Sequence, residues 1–300
     1  MQKIRIRLPA TLTDLGPGIN AVGLALRLYT TVEVSARVDA EVNVTLRGEG
    51  ADTYPTPLLH PVIRAMSRVF QELERAPSGF DVRVENAIPL RSGLGAETAL
   101  TVAGVIGANN LMGDPYDRND VIELAAHMTR PAGAVAAVGG GVGLAALSDE
   151  ALHYSNSGTE RLSVVIILPR LKQYTPPTLP QQISRQSAIS ALARVPLLVE
   201  ALRTGDLDLL ARMLHDDLLR PRVEAAIEGF GAVAEVARRA GALVVFPCGS
   251  GPAIAALARA RHEQIAEDMR LAYKGTGVDA TAWVLPVDTQ GIVISAMQSA

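Results

Sequence analysis

The sequence contains only one cysteine, Cys248, among 300 residues. A single cysteine excludes a disulfide bond within the chain, and it excludes a zinc site built from several cysteines. The five histidines are scattered and lack the spacing of a metal-binding cluster. Neither cross-links nor a cysteine-rich metal site therefore holds this chain together.

Excess positive charge and long apolar runs are also absent. The formal net charge is −3 at pH 7, so the chain has no global basic footprint for a nucleic acid. No uncharged apolar run reaches the roughly 18 residues that a membrane span needs. The first residues alternate charged and apolar side chains from Lys3 to Leu8, which is typical of a strand and unlike a signal peptide. We therefore expect a cytoplasmic protein that binds neither nucleic acid nor membrane.

The composition is that of an ordinary globular protein, with 48% hydrophobic and 20% charged residues. Alternating or continuous apolar residues predict strands near 3–8, 21–28, 30–36, 42–46, 80–85, 144–147, 162–168, 242–246, 280–286 and 291–296. Helical spacing predicts helices near 57–75, 97–111, 120–128, 181–192, 196–204, 206–219, 222–240, 253–260 and 262–273. Strands give way to helices in the second half, which predicts a domain boundary between about 148 and 170.

The stretch from Ile88 to Leu100 carries the strongest functional signal. A predicted strand precedes it, a predicted helix begins at Glu97, and Gly93 and Gly95 lie between them. A helix N-terminus presents unpaired N–H groups and a positive dipole end, and glycines let a bulky anion approach the backbone. Two interpretations remain open, a phosphate-binding loop or a plain turn with small residues. The stretch is not a Walker loop, because no Gly-Lys-Ser/Thr follows.

Three segments spread over the chain resemble the GHMP kinases, a family that includes galactokinase, homoserine kinase and mevalonate kinase. Pro89 with Gly93-Leu94-Gly95 is similar to the family's central motif, which reads Pro, three residues, Gly-Leu-Gly-Ser-Ser-Ala. The segment 9–18 resembles the opening of homoserine kinases, including Leu-Gly-Pro-Gly, and 248–253 resembles the closing Ser-Gly-Ser-Gly-Pro. The homoserine kinase branch matches best, although its catalytic motifs are degenerate here.

This resemblance implies an α+β protein with a two-layer, GHMP-kinase-like fold of two domains. Residues 1–155 would form a nucleotide-binding domain similar to ribosomal protein S5, and residues 156–300 a ferredoxin-like domain. ATP and a small hydroxylated substrate would bind between them. The implied reaction is the Mg²⁺-dependent transfer of the γ-phosphoryl group of ATP to the hydroxyl of homoserine or a similar amino-acid-like compound, as in threonine biosynthesis. A homodimer is a further family expectation.

The resemblance also implies site residues, but it assigns no catalytic residue. The implied nucleotide- or phosphate-binding residues are Pro89, Arg91, Ser92, Gly93, Leu94, Gly95, Ala96, Glu97 and Thr98. The implied substrate-binding residues are Asp14, Asn20, Arg185, Gly249, Ser250 and Gly251. Glu97 and Thr98 are the candidate Mg²⁺ ligands.

The chain departs from the family pattern at positions that carry chemistry. Asp14 and Asn20 stand where the family has Asn and Asp, respectively. Ala96 and Glu97 replace two serines whose hydroxyls hold phosphate and Mg²⁺ in the family. A carboxylate at this place favours the helix, but it repels phosphate unless a cation lies between them.

Further departures lie outside the three motifs. His127 aligns with a metal-binding glutamate of the family, and Val223 aligns with its second arginine, next to Arg222. The stretch 129–135 contains no carboxylate where the family has one near the substrate hydroxyl. Two hypotheses therefore remain open. The chain is either an ATP-dependent kinase of homoserine kinase type or an inactive relative that binds a ligand or a partner chain.

Overall fold

The computed structural model describes residues 3–160 and 162–297, and two β-sheets organise them. The strands are β1 (Lys3–Thr13), β2 (Val22–Arg37), β3 (Val42–Gly48), β4 (Gly79–Asn86), β5 (Val142–Leu147), β6 (Leu152–Ser157), β7 (Ser163–Pro169), β8 (Val244–Pro247), β9 (Ile254–Leu257), β10 (Ala280–Pro286) and β11 (Val293–Met297). The helices are α1 (Pro61–Glu72), α2 (Ala96–Leu111), α3 (Arg118–Met128), α4 (Ala132–Ala137), α5 (Arg185–Thr204), α6 (Leu207–Met213), α7 (Arg220–Ala226), α8 (Phe230–Ala240) and α9 (His262–Gly275). None of the helices in these ranges is long and apolar enough to span a membrane.

The first sheet has the order β11-β1-β2-β4-β3, and β5 and β6 continue from β2. Its pairs are antiparallel except β3 with β4. In β1, Ile4, Ile6 and Leu8 are buried whereas Arg5 is exposed, because alternate side chains of a strand point to opposite faces. The buried face packs against α2, which also contacts α1 and α3.

The second sheet has the order β10-β7-β9-β8 and is antiparallel throughout. Strand β7 lies between two hydrophobic cores. Val164 and Ile166 belong to the core shared with the first sheet, and Val165 and Ile167 belong to the core under α8 and α9. Both faces of β7 are therefore covered, which explains why its sequence is a continuous apolar run.

Several predicted boundaries in the first half were wrong. Strand β1 passes Pro9 and continues to Thr13, and the pairing register shifts between Pro9 and Ala10, a type of irregularity that accommodates proline in a strand. The two strands predicted near 21–28 and 30–36 are one strand, β2, which begins at Val22 and ends at Arg37. The helix predicted over 57–75 is a 3₁₀ turn at Pro57–Leu59 followed by α1.

The second half contains the larger errors. The segment 253–260 is not a helix but strand β9, since an Ala-rich strand buried on both faces shows no alternation. The segments 181–192 and 196–204 form one helix, α5, with Pro196 inside it. The segment 222–240 is divided into α7 and α8 at Gly229, whose φ is +80°, and α6 covers only Leu207–Met213 of the predicted 206–219.

The C-terminal part of the chain returns to the first sheet, because β11 pairs with β1. The division into residues 1–155 and 156–300 stays a prediction.

Candidate active site

The three segments that carry the family resemblance meet at one place. We call residues 14–20 the opening loop, 87–95 the central loop and 248–253 the closing loop. At the end of β1, the Thr11 amide donates to the Leu94 carbonyl over 3.0 Å, and the Ala253 amide donates to the Ser92 carbonyl over 3.1 Å. Backbone hydrogen bonds therefore join the central loop both to β1 and to the closing loop.

The glycines of these loops are required by the contacts between the loops. A Cβ on Gly93 would lie 1.8 Å from the Cys248 carbonyl oxygen, and one on Gly95 would lie 1.9 Å from Thr11 Oγ1. A Cβ on Gly251 would lie 2.2 Å from the Ser92 backbone. Gly93 and Gly95 also have φ values of +88° and +71°, which favour glycine. Close packing thus accounts for the glycines without a bound anion.

The N-terminus of α2 nevertheless has open hydrogen-bond donors. Gly95 is its N-cap and supplies no side chain, and the first helical bond runs from the Ala99 amide to the Gly95 carbonyl. Within the ranges that the structure describes, no acceptor pairs with the amides of Ala96, Glu97 and Thr98. These three donors lie at the positive end of the helix dipole, an arrangement that suits a phosphate.

Side chains of the central loop and the first turn of α2 differ in accessibility. Arg91 and Glu97 are exposed, whereas Ser92 and Thr98 are buried. Ser92 Oγ donates to the Pro89 carbonyl over 2.7 Å and accepts from the Leu94 amide over 3.2 Å, so this hydroxyl holds the shape of the loop. Of the two candidate Mg²⁺ ligands, only Glu97 is open to solvent.

An open cleft of about 780 Å³ extends from Glu97 between α1, α2 and the end of α3. It is lined by Tyr54, Leu58, Pro61, Arg64, Ala65, Ser67, Arg68, Gln71, Glu97, Thr101, His127, Met128 and Thr129. Leu58 is 68% exposed, and with Tyr54 it offers an apolar surface, while Arg64 supplies positive charge. Sequence reasoning missed Tyr54, Leu58 and Arg64, because exposed residues before and on an amphipathic helix look like an ordinary solvated surface.

Charged side chains at the mouth of the cleft shift the pKa of Tyr54. Burial raises the pKa of Tyr54, the negative charge of Glu97 raises it further, and the positive charges of Arg91 and Arg64 lower it. Glu97 and the two arginines are therefore close enough to influence the same phenol. His60 packs edge-on against Tyr54 with ring centroids 5.1 Å apart. Burial lowers the pKa of His60 to about 4, so this imidazole is neutral at pH 7.

The opening loop holds Asp14 in a fixed position. Asp14 Oδ1 accepts from the Asn20 amide over 2.8 Å, and both residues have left-handed φ values, 52° and 59°. Burial raises the pKa of Asp14, the Asn20 amide lowers it, and the negative charge of Asp216 raises it. Asn20 itself is exposed.

The closing loop lies beside Asp14. The position that a Cβ of Gly249 would take lies 3.0 Å from Thr13 Oγ1 and 3.5 Å from Asp14 Oδ2. Tyr174 Oη donates to the Ser250 carbonyl over 2.7 Å, so the segment between β7 and α5 covers this loop. Burial raises the pKa of the Cys248 thiol, which keeps the thiol protonated and unreactive.

Arg185 and Arg222, the arginines at or next to the family's substrate-binding positions, form no ion pair with the three loops in the described part of the chain. Arg185 is the first residue of α5 and is exposed, and no described residue pairs with its side chain. Val223 is fully buried and the adjacent Arg222 is exposed. The arginine that does point inward from α7 is Arg220, which sequence reasoning did not single out.

Arg220 is fully engaged by neighbouring groups. Its Nε donates to Glu224 Oε1 over 2.6 Å, Nη1 to the Leu214 carbonyl over 3.2 Å and Nη2 to the Val245 carbonyl over 2.8 Å. Asp216, also missed, is buried and accepts from the backbone amides of Leu218, Leu219 and Arg220. The spacing of Asp216 before α7 was the available signal, because an aspartate that precedes a helix often caps it.

A preformed metal site is not found in the described parts of the chain, since no three or more His, Cys, Asp or Glu side chains there are grouped to hold an ion. Mg²⁺ is commonly bound through one or two carboxylates together with the phosphates of a substrate. Glu97, beside the free amides of α2, fits that mode of binding.

Family models match this chain in both halves. The model for the GHMP kinases N terminal domain matches residues 60–148, and the GHMP kinases C terminal model matches residues 198–275. The chain belongs to the GHMP kinases. The expected two-domain GHMP-kinase-like fold is thereby confirmed.

Several relatives that match this chain over nearly its full length are homoserine kinases by name. The homoserine kinase of Moorella thermoacetica is 31% identical over 96% of this chain and 99% of its own. That of Microchaete diplosiphon is 34% identical over 97% of both chains. The crystal structure of homoserine kinase from Cytophaga hutchinsonii superposes with a TM-score of 0.85 at 26% identity, covering 98% of each chain. The chain is thus a homoserine-kinase-like member of the family, and nothing in these comparisons favours the inactive alternative.

Proposed function

We propose that this protein is an ATP-dependent phosphotransferase that acts on the hydroxyl of a small amino-acid-like substrate such as homoserine. The observation that carries the proposal is the uncapped N-terminus of α2, where three backbone amides without acceptors lie next to the cleft. The relatives named homoserine kinase support the reaction type.

The cleft and the loops offer separate places for the parts of ATP. Tyr54 and Leu58 provide a surface for a nucleobase, because aromatic and aliphatic side chains stack well against flat rings. The amides of 96–98 provide donors for the phosphates. Arg64 adds positive charge at the mouth of the cleft. Phosphoryl transfer depends mainly on positioning and charge stabilisation, which these groups supply.

Mg²⁺ is the proposed metal, held by Glu97 together with the phosphates. The ion would supply positive charge to the phosphoryl group during transfer. Glu97 is exposed, stands in the first turn of α2 and is the accessible carboxylate of this end of the cleft. In this arrangement Glu97 does not repel the nucleotide, because the metal lies between the two negative groups.

We place the substrate that accepts the phosphoryl group where the opening and closing loops meet, beside Asp14 and Gly249. This junction is joined to the central loop by the hydrogen bond from Ala253 to Ser92. We assign no general base, and catalysis rests on the positioning of the phosphoryl donor and the hydroxyl acceptor. The homodimer expected from the family stays a proposal without an assigned interface.

The test is a calorimetric titration with Mg·ATP combined with an assay of ADP formation in the presence of homoserine. Arg64→Glu is expected to weaken Mg·ATP binding by about tenfold or more, because it reverses a charge at the mouth of the cleft. Arg47→Glu is the matched control, since Arg47 is exposed on β3 and lines a different cavity on the first sheet. If the two variants bind Mg·ATP equally well, the nucleotide is not in this cleft. If Mg·ATP binds but no acceptor stimulates ADP formation, the inactive relative is the better description.

A further inference from the structure

Helix α5 is the longest helix in the described part of the chain, and most of it lies outside the two hydrophobic cores. Its buried residues are Leu198, Ala201 and Leu202. All three belong to the last two turns, and α5 packs against α6. No residue from Arg185 to Pro196 is buried. The first part of α5 therefore has a face that no other described element of this chain covers.

The uncovered face of this part is apolar. Ile189, Leu192 and Leu197 are 49%, 72% and 47% exposed, and Ala193 and Pro196 are exposed as well. These five residues follow the spacing i, i+3, i+4, i+7 and i+8, which places them on one side of a helix. We call them the outer stripe. In a surface helix the apolar stripe normally faces the core and polar residues face solvent, so the outer stripe reverses the usual arrangement.

Exposed apolar side chains are concentrated at this helix. Of the twelve large apolar residues that are exposed in the described chain, five lie between Leu179 and Leu197. They include Leu179 and Ile183, which precede α5. Single exposed apolar residues need no explanation, whereas a large apolar patch marks an interaction surface. The first part of α5 therefore has the composition of a surface that contacts another protein.

The two ends of the outer stripe carry opposite charges. Arg185 begins the helix and pairs with no described residue, and Glu200 follows the stripe. At a rise of about 1.5 Å per residue, Arg185 lies about 12 Å before Ala193 and Glu200 about 10.5 Å after it. The two charged residues are just over four turns apart, at about 3.6 residues per turn, so both lie on the side of the stripe. Ala193 is thus the midpoint between a cation and an anion.

This pattern fits a second copy of the same chain. When two α5 helices pack antiparallel about Ala193, Arg185 of each copy lies opposite Glu200 of the partner subunit, and the helix dipoles are antiparallel as well. Glu200 already accepts from Arg203 in its own chain. Its side chain is half exposed, however, and a carboxylate has lone pairs for a second cation. The small side chain of Ala193 lets the two helices approach closely.

We propose that the outer stripe of α5 is the interface of a homodimer, in which two copies pack antiparallel about a two-fold axis near Ala193. A two-fold interface uses the same patch on both subunits. The dimer buries the apolar side chains that the fold of one copy leaves exposed, which is a favourable transfer from water. The proposal gives a surface to the homodimer that the family resemblance implies, and it does not depend on the proposed activity.

Sedimentation velocity of the full chain measures the association. We expect a species with twice the chain mass of 31.6 kDa. Leu192→Glu places a carboxylate from each copy beside the axis, and we expect it to weaken dimerisation by about 100-fold or more, because these charges are buried without a partner. Leu192 is 72% exposed in one copy, so the variant is expected to fold normally, which circular dichroism checks. Leu271→Glu is the matched control, since Leu271 is also an exposed leucine on a helix, α9.

A charge exchange tests the antiparallel direction. Arg185→Glu and Glu200→Arg each bring like charges together at both ends of the interface, and we expect each to weaken dimerisation by about 5- to 30-fold. The double variant restores opposite charges and is expected to recover most of the lost affinity. Parallel helices would place Arg185 beside Arg185 of the partner subunit, and the single changes would then have little effect.

Three results would overturn the proposal. A monomer at every concentration up to about 100 µM would exclude a specific homodimer. Equal dimerisation of Leu192→Glu and Leu271→Glu would place the interface on another surface. A dimer that Leu192→Glu disrupts, but that the double charge exchange does not recover from its single variants, would exclude the antiparallel arrangement.

Discussion

Replacing Glu97 by serine tests how an exposed carboxylate at the start of α2 acts on ATP. Glu97 lies beside three backbone amides that have no acceptor in the described chain. Metal-free ATP brings negative charge towards this carboxylate, whereas Mg²⁺ placed between them converts repulsion into coordination. We therefore expect Glu97→Ser to strengthen the binding of metal-free ATP and to weaken the binding of Mg·ATP.

The size of the expected change in ATP affinity follows from the exposure of Glu97. Two unit charges 4 Å apart interact by about 1 kcal/mol in water and about 4 kcal/mol near a protein surface. Because Glu97 is exposed, the lower part of this range applies, and ~1–2 kcal/mol corresponds to a roughly 5- to 30-fold change in Kd. The lost attraction between Glu97 and the helix dipole lowers the free energy of unfolding by only about 0.3–1 kcal/mol.

Calorimetric titrations of the protein with ATP measure both changes in affinity. EDTA in the buffer gives the Kd of metal-free ATP, and excess Mg²⁺ gives the Kd of Mg·ATP. Glu263→Ser is the matched control, because Glu263 is exposed in the first turn of α9, whose N-cap Arg261 is left-handed like Gly95. The control is expected to leave both Kd values unchanged. Shifts of the same sign with and without Mg²⁺, or no shift in either titration, would refute the role given to Glu97.

Three further predictions concern the free energy of unfolding. Burial lowers the pKa of His60 to about 4, so the unfolded chain binds a proton that the folded chain does not, and stability falls as the pH drops from about 6.5 to 4. His60→Asn, which keeps an N-cap acceptor, is expected to reduce this slope by up to about 1.4 kcal/mol per pH unit. Gly95→Ala places a methyl group 1.9 Å from Thr11 Oγ1 and is expected to destabilise the protein by about 2 kcal/mol or more. Pro196→Ala, inside α5, is expected to stabilise it by about 1–3 kcal/mol, because proline removes a helical hydrogen bond.

Denaturant unfolding tests all three predictions, because it measures the free energy of unfolding. Gly113→Ala is the control for Gly95→Ala, since Gly113 also has a positive φ, +85°, but has no neighbour within 4 Å of its Cβ position. Equal destabilisation by the two alanines would show that conformation, not the contact with Thr11, is what requires glycine. Identical pH slopes for wild type and His60→Asn would contradict the assignment to His60. A less stable Pro196→Ala variant would show that proline fits α5 without cost.

Sequence patterns predicted the strands that have one solvated face. Apolar and polar residues alternate in β1 and β4, as expected for strands with one buried face. The structure contains both of these predicted strands. The pattern failed for β9, because Ile254 to Leu257 is buried on both faces and rich in alanine, a composition that helices share. It also failed at Pro9, where the pairing register with β2 shifts, and at Pro196, which lies exposed inside α5.

The site was predictable only through the resemblance, and then in part. The motifs indicated that 88–98 and 248–253 are functional, but no local pattern shows that these loops hydrogen-bond to each other. For Gly93 and Gly95 the sequence leaves a phosphate-binding loop and a plain turn open, and the structure adds that both glycines allow close contacts with neighbouring segments. The sequence did not indicate Tyr54, Leu58 and Arg64, because these residues line a cleft only once α2 packs opposite α1.

Phosphorus NMR of the protein incubated with ATP, Mg²⁺ and L-homoserine detects the proposed phosphoryl transfer itself. We expect the γ-phosphorus signal of ATP to decrease while signals of ADP and of a new phosphate monoester increase in equal amounts. The same experiment without L-homoserine is expected to leave ATP intact over the same period. Persistence of ATP in the presence of L-homoserine, with Mg·ATP binding demonstrated, would contradict the phosphotransferase assignment.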